Sequence, residues 1–396
     1  MSVFNQEIVT REAQRSLFVE NKAFAIANTT LRNIAAGEVD TVVRTILSYP
    51  QSQTYTPSTD LTQRVMVGSS ESLSIGTWIA SMVSIDDTEK VQSVVDISKL
   101  VAKRMMANLN NDIEQRVLYE VMNAAHSIDD GNIGGTSGNN AAVTSANVLQ
   151  LFTAADAKLD AIDAPKAGRT AVVGTHVLNQ IKLSVQGKNT QFGDGVLTRG
   201  IVTNIFGWDI LYSNNLYWTA TLNLATIPTE SDTITIAGVV LTWNATPSGA
   251  GSVDIGASVA ISCDNLVAVV NDSGTAGTTY IALSDEDRFL WRDKRRLVAT
   301  DGSTYVTFVG YGDIVVSETL TATADVWSVQ TQNSLFCVKG CTDMIVQIPP
   351  KMEESRAPAQ FATWIKSLTG FGKKTFADGA REMVRVKVDA STTDWS

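Results

Sequence analysis

Histidine and cysteine are scarce in this chain, two and three among 396 residues, and that scarcity removes most catalytic and metal chemistry. A Ser, His, Asp triad would have to recruit His126 or His176, and no GxSxG elbow accompanies either. Zinc is normally gripped by tight CxxC or HxxxH pairs; Cys263, Cys337 and Cys341 form no such pair with each other or with the histidines. Three cysteines are also too few for a disulfide framework, so free thiols are expected, with the role of Cys337 and Cys341 left open. Long apolar runs are missing as well: nothing approaches the roughly 18 residues that a membrane helix needs. Met1 to Ser16 is polar and mixed in charge, so no signal peptide is expected, and the chain reads as a soluble protein made in the cytosol. Positive charge is short too, with 31 Lys and Arg against 41 Asp and Glu, a net charge of −10. An acidic field of that size opposes gripping nucleic acid through overall charge. Apolar residues at 44% and charged ones at 18% nevertheless describe a folded protein with a substantial core.

What the chain does have is one long helical pattern. Asp86, followed three residues later by Glu89, is a capping-box signature, and no Pro or Gly intervenes before Gly131. Apolar residues recur at Val94, Val101, Met105, Leu109, Ile113, Val117 and Val121, predicting one continuous amphipathic helix from Asp86 to His126. At 1.5 Å per residue it would span roughly 60 Å. Steps of four dominate over strict heptads, which disfavours a coiled coil.

The remaining segments fall around this spine. Arg11 to Ala27 is a weak helical pattern within a peripheral stretch, residues 1 to 40. Thr41 to Tyr49 and Leu61 to Val67 read as strands parted by Pro50, Pro57 and polar residues, a projecting hairpin with little core of its own. Gly131 to Asn140 reads as a flexible loop. A helix follows with Val148, Leu151, Phe152, Ala155, Leu159 and Ile162 on one stripe, then a buried strand at Ala171 to Gly174. Thr175 opens another helix, and Ile201 to Tyr212 reads as two strands turning at Gly207, an α+β alternation. From about Thr219 to Gln330 the composition shifts to Thr, Val, Ser and Gly. Short strands dominate there, including a hairpin over Ala237 and Gly238, with one helix carrying Val259, Cys263, Leu266, Val267 and Val270. The tail has a strand at Met344 to Ile348, a break at Pro349 and Pro350, a polar stretch, and a last strand at Met383 to Val388.

Candidate sites are few, and each has a plainer reading. Gly131 to Gly138 has the glycines of a phosphate loop but lacks the Lys and Ser or Thr. Asp129, Asp130 and Asn132 suggest calcium without the terminal Glu of an EF-hand, and read as a polar turn. Asp86 and Asp87 resemble an acid and base pair, yet a helix start accounts for them. His176, opening a helix, reads as structural. Arg292, Lys294, Arg295 and Arg296 beside Trp291 form the only dense basic patch; it could touch nucleic acid, but reads better as a dock for an acidic face of another subunit.

An arm, a strand-rich loop, a spine helix and an α+β body, in that order, resemble the major capsid proteins of tailed bacteriophages, which share the Hong Kong 97-type fold. The residues that carry the resemblance are Ser84-Ile85-Asp86-Asp87-Thr88-Glu89, the helix Ala146 to Ile162 with Arg169-Thr-Ala-Val-Val-Gly174, and Leu197-Thr-Arg-Gly200 through Asn204-Ile-Phe-Gly-Trp208 to Ser213. They implicate residues 1 to 217 and 334 to 388. The resemblance implies residues 1–39 as an N-terminal arm, 40–85 as an extended loop lying over an adjacent subunit, and 86–174 as spine helix and peripheral domain. It further implies 175–218 as the first part of an axial domain, 219–331 as a β-rich insertion domain, and 332–396 as the return to the axial and peripheral domains with a C-terminal strand.

The implied function is a non-catalytic coat protein, with no cofactor, that self-assembles as pentamers and hexamers into an icosahedral shell around packaged double-stranded DNA. Scaffold, portal and decoration proteins are the implied partners, with weak non-specific DNA contact and no membrane. The implied location is the virion capsid, made and assembled in the bacterial host cytoplasm. Subunit contacts are expected at Arg44, Pro50, Tyr55, Pro57 and Trp78, and at Arg292, Lys294, Arg295 and Arg296. Covalent cross-linking is not carried over, because no matching Lys and Asn context is visible. The alternative is a phage tail or adhesin-type binding protein, which would explain the β-rich middle but should lack the spine. A cytosolic hydrolase would need convergent titratable groups that the sequence does not offer.

Overall fold

The computed structural model describes residues 22–30, 40–47, 52–60, 63, 65–66, 68–92, 97–186, 204–313, 315–322, 324–358 and 360–390. The chain divides into two compact units. Of the described residues, 27–106 and 342–376 belong to the first, and 22–26, 107–341 and 377–390 to the second.

The first unit is built on a four-stranded sheet in the order Ala27–Asn28, Thr342–Arg356, Ala362–Lys374, Thr77–Asp86. Its three long strands are antiparallel. Alternation divides their side chains between two faces. Ile85 and Ile365 point to one face and bury there with Val83 and Met352 against Val101 and Met105. The expected break at Pro349 and Pro350 does not occur: the strand runs on to Arg356, and the register shifts between Val346 and Ile348 and again between Ile348 and Lys351. Bulges of this kind are where a sheet tolerates the missing proline N–H.

Beside the sheet stands a two-stranded hairpin, Thr41–Leu47 with Gly68–Ser74. Of the expected strand Leu61 to Val67, residues 61, 62, 64 and 67 lie outside the described residues; the described partner strand is Gly68–Ser74. Its register is set at the base, where Ile75 N donates to Asp40 O at 2.8 Å and Leu73 buries with Val42, Ile75, Ile345 and Phe376. A Cβ at Gly372 would lie 2.7 Å from Ser74 O, so glycine is what lets the hairpin base close on the sheet.

The second unit contains a nine-stranded sheet threaded by the strand Trp327–Val338. That strand pairs with Tyr217–Asn223, Arg169–Val173 and Met383–Asp389. On the sheet packs a core in which Phe152 and Trp208 each meet Phe336 edge to face, at 5.1 and 5.2 Å between centroids. The helices Val148–Asp160 and Thr175–Gln186 supply its apolar stripes, as their spacing predicts. Phe206 at φ 50° and Gly207 at φ 83° make the expected tight turn between Asn204–Ile205 and Trp208–Tyr212. A second core gathers Trp218, Trp243, Trp291 and Phe308 with the helix Val259–Asn271. The hairpin over Ala237 and Gly238 belongs to a four-stranded sheet next to that core. Tyr217–Asn223, Tyr305–Tyr311 and Val298–Asp301 join the nine-stranded sheet.

The spine differs from its expected form. Helix occupies Asp87–Gln92 and Ile97–Leu118, a 3-10 turn covers Tyr119–Asn123, and residues 93–96 lie outside the described residues. The 22-residue segment is roughly 33 Å long at 1.5 Å per residue. It stops before His126 because sheet pairing captures the chain: Ala125 N donates to Ala380 O at 2.8 Å, and His126–Ile128 then pairs in parallel with Val384–Val386. At the start Asp86 caps as expected, its carboxylate accepting from Thr88 N and Oγ1, each at 2.8 Å.

Gly131 to Asn140 is a closed loop instead of a free linker. Asp129 accepts from Gly138 N at 2.9 Å and Asp130 from Thr136 N at 2.8 Å, while Asp130 N donates to Asn139 O at 3.0 Å. Of the expected helix Arg11 to Ala27, residues 22–27 fall within the described residues: Ala23–Ile26 is helical, and Ala27 opens the short strand Ala27–Asn28. No helix of the described residues is long and apolar enough to cross a membrane.

Candidate assembly surface

The outer face of the first unit's sheet is the feature its fold leaves open. Cross-strand register places Trp78 opposite Gly370, Ala80 opposite Leu368, Met82 opposite Lys366 and Ser84 opposite Trp364. On the next strand Lys351 stands opposite Leu368 and Glu353 opposite Lys366. These residues point away from Ile85, Ile365 and Met105, so the sheet has one buried face and one apolar face without cover from its own unit. Trp78 is 52% exposed and Met82 56%, unusual values for side chains of that size in mid-strand. Between Met82, Ile348 and Leu368 lies a groove of about 520 Å³. Lys351 and Glu353 form an ion pair at 3.0 Å on its margin, and Lys366 Nζ sits 5.0 Å over the Trp364 ring. An apolar centre with a charged rim is the anatomy of a protein contact surface.

The expected contact residues divide into three groups. Trp78 lies on this open face. Tyr55 and Pro57 lie on an exposed tip that turns through Thr56–Thr59, with Thr59 N donating to Thr56 O at 3.2 Å. Pro50 lies outside the described residues. Arg44 stands over the buried Phe376 ring at 5.4 Å, with Lys374 Nζ 5.5 Å from the same ring. The basic quartet is largely engaged within its own unit. Arg292 pairs with Asp272 at 3.1 Å and donates to Asn271 O at 2.8 Å. Arg295 Nη1 donates to Asp313 O, and Arg296 Nη2 contacts Asp112 Oδ1. Lys294 alone of the four is exposed.

Sequence reasoning missed Met82, Trp364 and Leu368 as members of this face. Their signal was the alternation of side chains along Ala362–Lys374, which pairs in register with Thr77–Asp86, but from the sequence that segment read only as a polar stretch.

The remaining candidates have structural roles. His176 is buried with Nε2 3.0 Å from Val143 O, and burial pushes its pKa down. Asp87 takes both Nη atoms of Arg356, at 3.2 and 2.5 Å. None of the three cysteines forms a disulfide, and all are buried. Among the described residues no group of three or more His, Cys, Asp or Glu is placed to hold a metal.

No family model matches the chain, and no curated protein matches it. Solved structures do. A chain from Mycobacterium phage Che8 is similar at 12% identity and TM-score 0.52, over 91% of this chain and 88% of its own. A chain from the capsid of Cyanophage P-SCSP1u is similar at 14% identity and TM-score 0.54, over 99% of this chain and 93% of its own. The fold is thus the α+β phage capsid fold that the order of its parts resembled. The spine helix that a tail or adhesin-type protein was expected to lack is present.

Proposed function

We propose that this chain is the major capsid protein of a tailed phage, a structural and non-catalytic subunit that self-assembles into the icosahedral shell around packaged double-stranded DNA. The observation that carries the reading is the open apolar face of Trp78, Met82 and Leu368 on a sheet whose other face is already buried. Apolar area left open in this way is stabilised by burial on a neighbour, at about 25 cal/mol per Å² removed from water. Rings of five and six copies need head-to-tail contacts in which one patch meets a different patch on the next copy. The capsid fold supports the same reading, since it is the fold of a chain that assembles as a shell in Cyanophage P-SCSP1u.

On this reading residues 1–39 act as an arm, 40–85 as the extended loop with Arg44, Pro50, Tyr55 and Pro57 at contacts, and 86–174 as spine and peripheral domain. Residues 175–218 and 332–396 form the axial domain and the return to the periphery, with 219–331 as a β-rich insertion. Lys294 remains available to meet an acidic face of another subunit. Scaffold, portal and decoration proteins are the further partners, and assembly occurs in the cytoplasm of the bacterial host.

Purified full-length chain, concentrated and viewed by negative-stain microscopy, is expected to give shells of many copies. The double variant Trp78→Ser with Met82→Ser should stay folded by circular dichroism and form none. A parent protein that stays monomeric at high concentration, or a variant that assembles like the parent, removes the basis of the proposal.

A further inference from the structure

Three tyrosines and three arginines converge on one patch of the second unit. Tyr119, Tyr217 and Tyr311 form a row of edge-to-face rings, with 5.0 Å between the first two centroids and 5.7 Å between the last two. Tyr217 and Tyr311 are register partners on adjacent strands, and Tyr119 follows the last turn of the long helix. Arg116 and Arg296 share one carboxylate: Arg116 Nε lies 3.8 Å from Asp112 Oδ2, and Arg296 Nη2 contacts Asp112 Oδ1. Arg385 donates Nε to Asn333 Oδ1 at 2.7 Å, and Asn333 donates Nδ2 to Tyr217 O at 3.0 Å, which ties Arg385 to the same row. The charges of Arg296 and Arg116 act on Tyr311, and that of Arg385 on Tyr217.

Arg116 and Arg296 share the carboxylate of Asp112, while Arg385 bonds the neutral amide of Asn333, in a chain whose net charge is −10. Arg116 Nε is buried without a hydrogen-bond partner among the described residues, while the Arg116 side chain as a whole keeps 35% of its surface. Arg296 holds a left-handed backbone, φ 47°, which is disfavoured for any residue with a Cβ. Tyr119 is 39% exposed, so the row opens to solvent at that end. Burial pushes the Tyr311 hydroxyl up to about 12, which keeps it a hydrogen-bond donor at neutral pH.

We propose that Arg116, Arg296 and Arg385, with the Tyr119, Tyr217 and Tyr311 rings between them, bind the phosphodiester backbone of nucleic acid. A guanidinium presents paired N–H donors that match two phosphate oxygens, which a lysine cannot do. Several arginines set around a tyrosine row suit the successive phosphates of one backbone, whereas a single carboxylate from a neighbouring protein brings only one negative charge. The proposal rests on the shell reading only for the source of the phosphate, the packaged genome; the anion site stands on the cluster itself.

The test uses full-length unassembled chain and a short fluorescein-labelled DNA duplex, with anisotropy followed across a sodium chloride series. The parent should bind, and the slope of log affinity against log salt should flatten by about 0.9 for each arginine replaced. Arg116→Gln with Arg385→Gln should weaken binding at least about tenfold at low salt. Arg385→Lys keeps the charge while losing the fork, and should retain most of the slope with reduced affinity. Lys294→Gln, outside the cluster, should bind like the parent. Melting curves confirm that each variant is folded.

Equal losses in Lys294→Gln and the double variant would mean a general field effect and overturn the site. So would a double variant that binds oligonucleotide normally, including one that fails only in shell assembly because the cluster receives an acidic segment of another copy. Sodium phosphate should displace the oligonucleotide no better than chloride at matched ionic strength. Displacement at far lower concentration would make this a free-phosphate site and overturn the nucleic-acid assignment. Because binding is read on unassembled chain, absence of shells with the site intact would count against the capsid reading and not against the site.

Discussion

The indole of Trp78 lies across the backbone of Gly370, its register partner on the neighbouring strand. A Cβ at position 370 would sit 2.4 Å from Trp78 Cζ3, so the ring rests where any other residue's side chain would begin. Glycine in mid-strand usually weakens a sheet, and an aromatic laid over it restores the lost contact. Gly370→Ala should therefore push the indole off the sheet and cost about 1 to 3 kcal/mol, the range for overpacking. Trp78→Ala alone exposes the glycine, but in the double variant the clash is gone. A double-mutant cycle by urea unfolding should give a coupling of about 1 kcal/mol or more. Additive effects would mean that the ring does not occupy that position.

Arg169 is the centre of a second close arrangement. Almost wholly buried, it contacts Asp156, bonds Asp160 at 2.6 Å, donates to the carbonyls of Ala164 and Pro165 at 3.2 Å each, and lies 5.8 Å from the Trp208 ring. Trp208 Nε1 in turn donates to Asp156 at 2.9 Å. Arg169→Met should cost about 3 kcal/mol, the low end for breaking a buried pair, because Asp160 keeps its access to water. The Arg169 hydrogen bond, helped by Lys166, holds the Asp160 carboxyl below the usual carboxylate range. Its contribution is in place above about pH 4 and is lost as pH falls through the lowered value. The acid limb of the stability curve should therefore be shallower in Arg169→Met; an identical limb would show that the pair does not couple to folding.

How much of this was legible beforehand depends on whether the signal was local. Helices Val148–Asp160, Thr175–Gln186 and Val259–Asn271 follow from their own apolar spacing, and the turns at Phe206–Gly207 and Ala237–Gly238 from the glycine in each. The strand Ala362–Lys374 was hidden because glycines and polar residues are stable there only through pairing with partners far away in sequence. Pro349 and Pro350 misled for the same reason, since a bulge in a long ladder absorbs what an isolated strand could not. The spine was overextended because the sheet that ends it, at Val384–Val386, leaves no trace in the residues near His126. On the candidate face, Trp78 was visible as a large apolar residue near polar ones. Met82 and Leu368 needed the register.

Glu114 gives a pH signature that no apolar helix position could. It lies on the long helix with no exposed surface, accepting from Ser213 Oγ at 2.6 Å and Asn215 Nδ2 at 3.2 Å. Burial is the largest influence and raises its pKa above the ordinary carboxylate value, against the hydrogen bonds that lower it. A raised carboxyl favours the folded state most fully below the unfolded value, and that advantage is lost as pH rises through the folded one. Melting of the parent against Glu114→Gln, from pH 4 to pH 8, should thus move in the variant's favour with rising pH. A difference that stays constant across the series would show that Glu114 does not titrate in the folded chain.

If the proposed assembly role of Tyr55 and Pro57 is right, the tip that carries them acts between subunits and not in folding. Thr56, Pro57, Ser58 and Thr59 form a turn with proline in its second position and Ser58 at φ 69° in its third, the geometry of a type II turn. Glycine is favoured at that third position, so Ser58→Gly should be close to neutral: relief of about 1 kcal/mol of strain is offset by the greater freedom of glycine in the unfolded chain. The hairpin base buries Val42, Leu73, Ile75, Ile345 and Phe376, none of which lies in the tip. Deleting residues 50 to 58 should therefore leave the melting temperature nearly unchanged while shell yield falls steeply, because Tyr55 and Pro57 would no longer reach an adjacent copy. A thermal melt of the deletion variant beside the parent reads the first outcome and sedimentation the second. Normal shells would show that the tip makes no contact between subunits, and a lowered melting temperature would show that it supports the fold of its own chain.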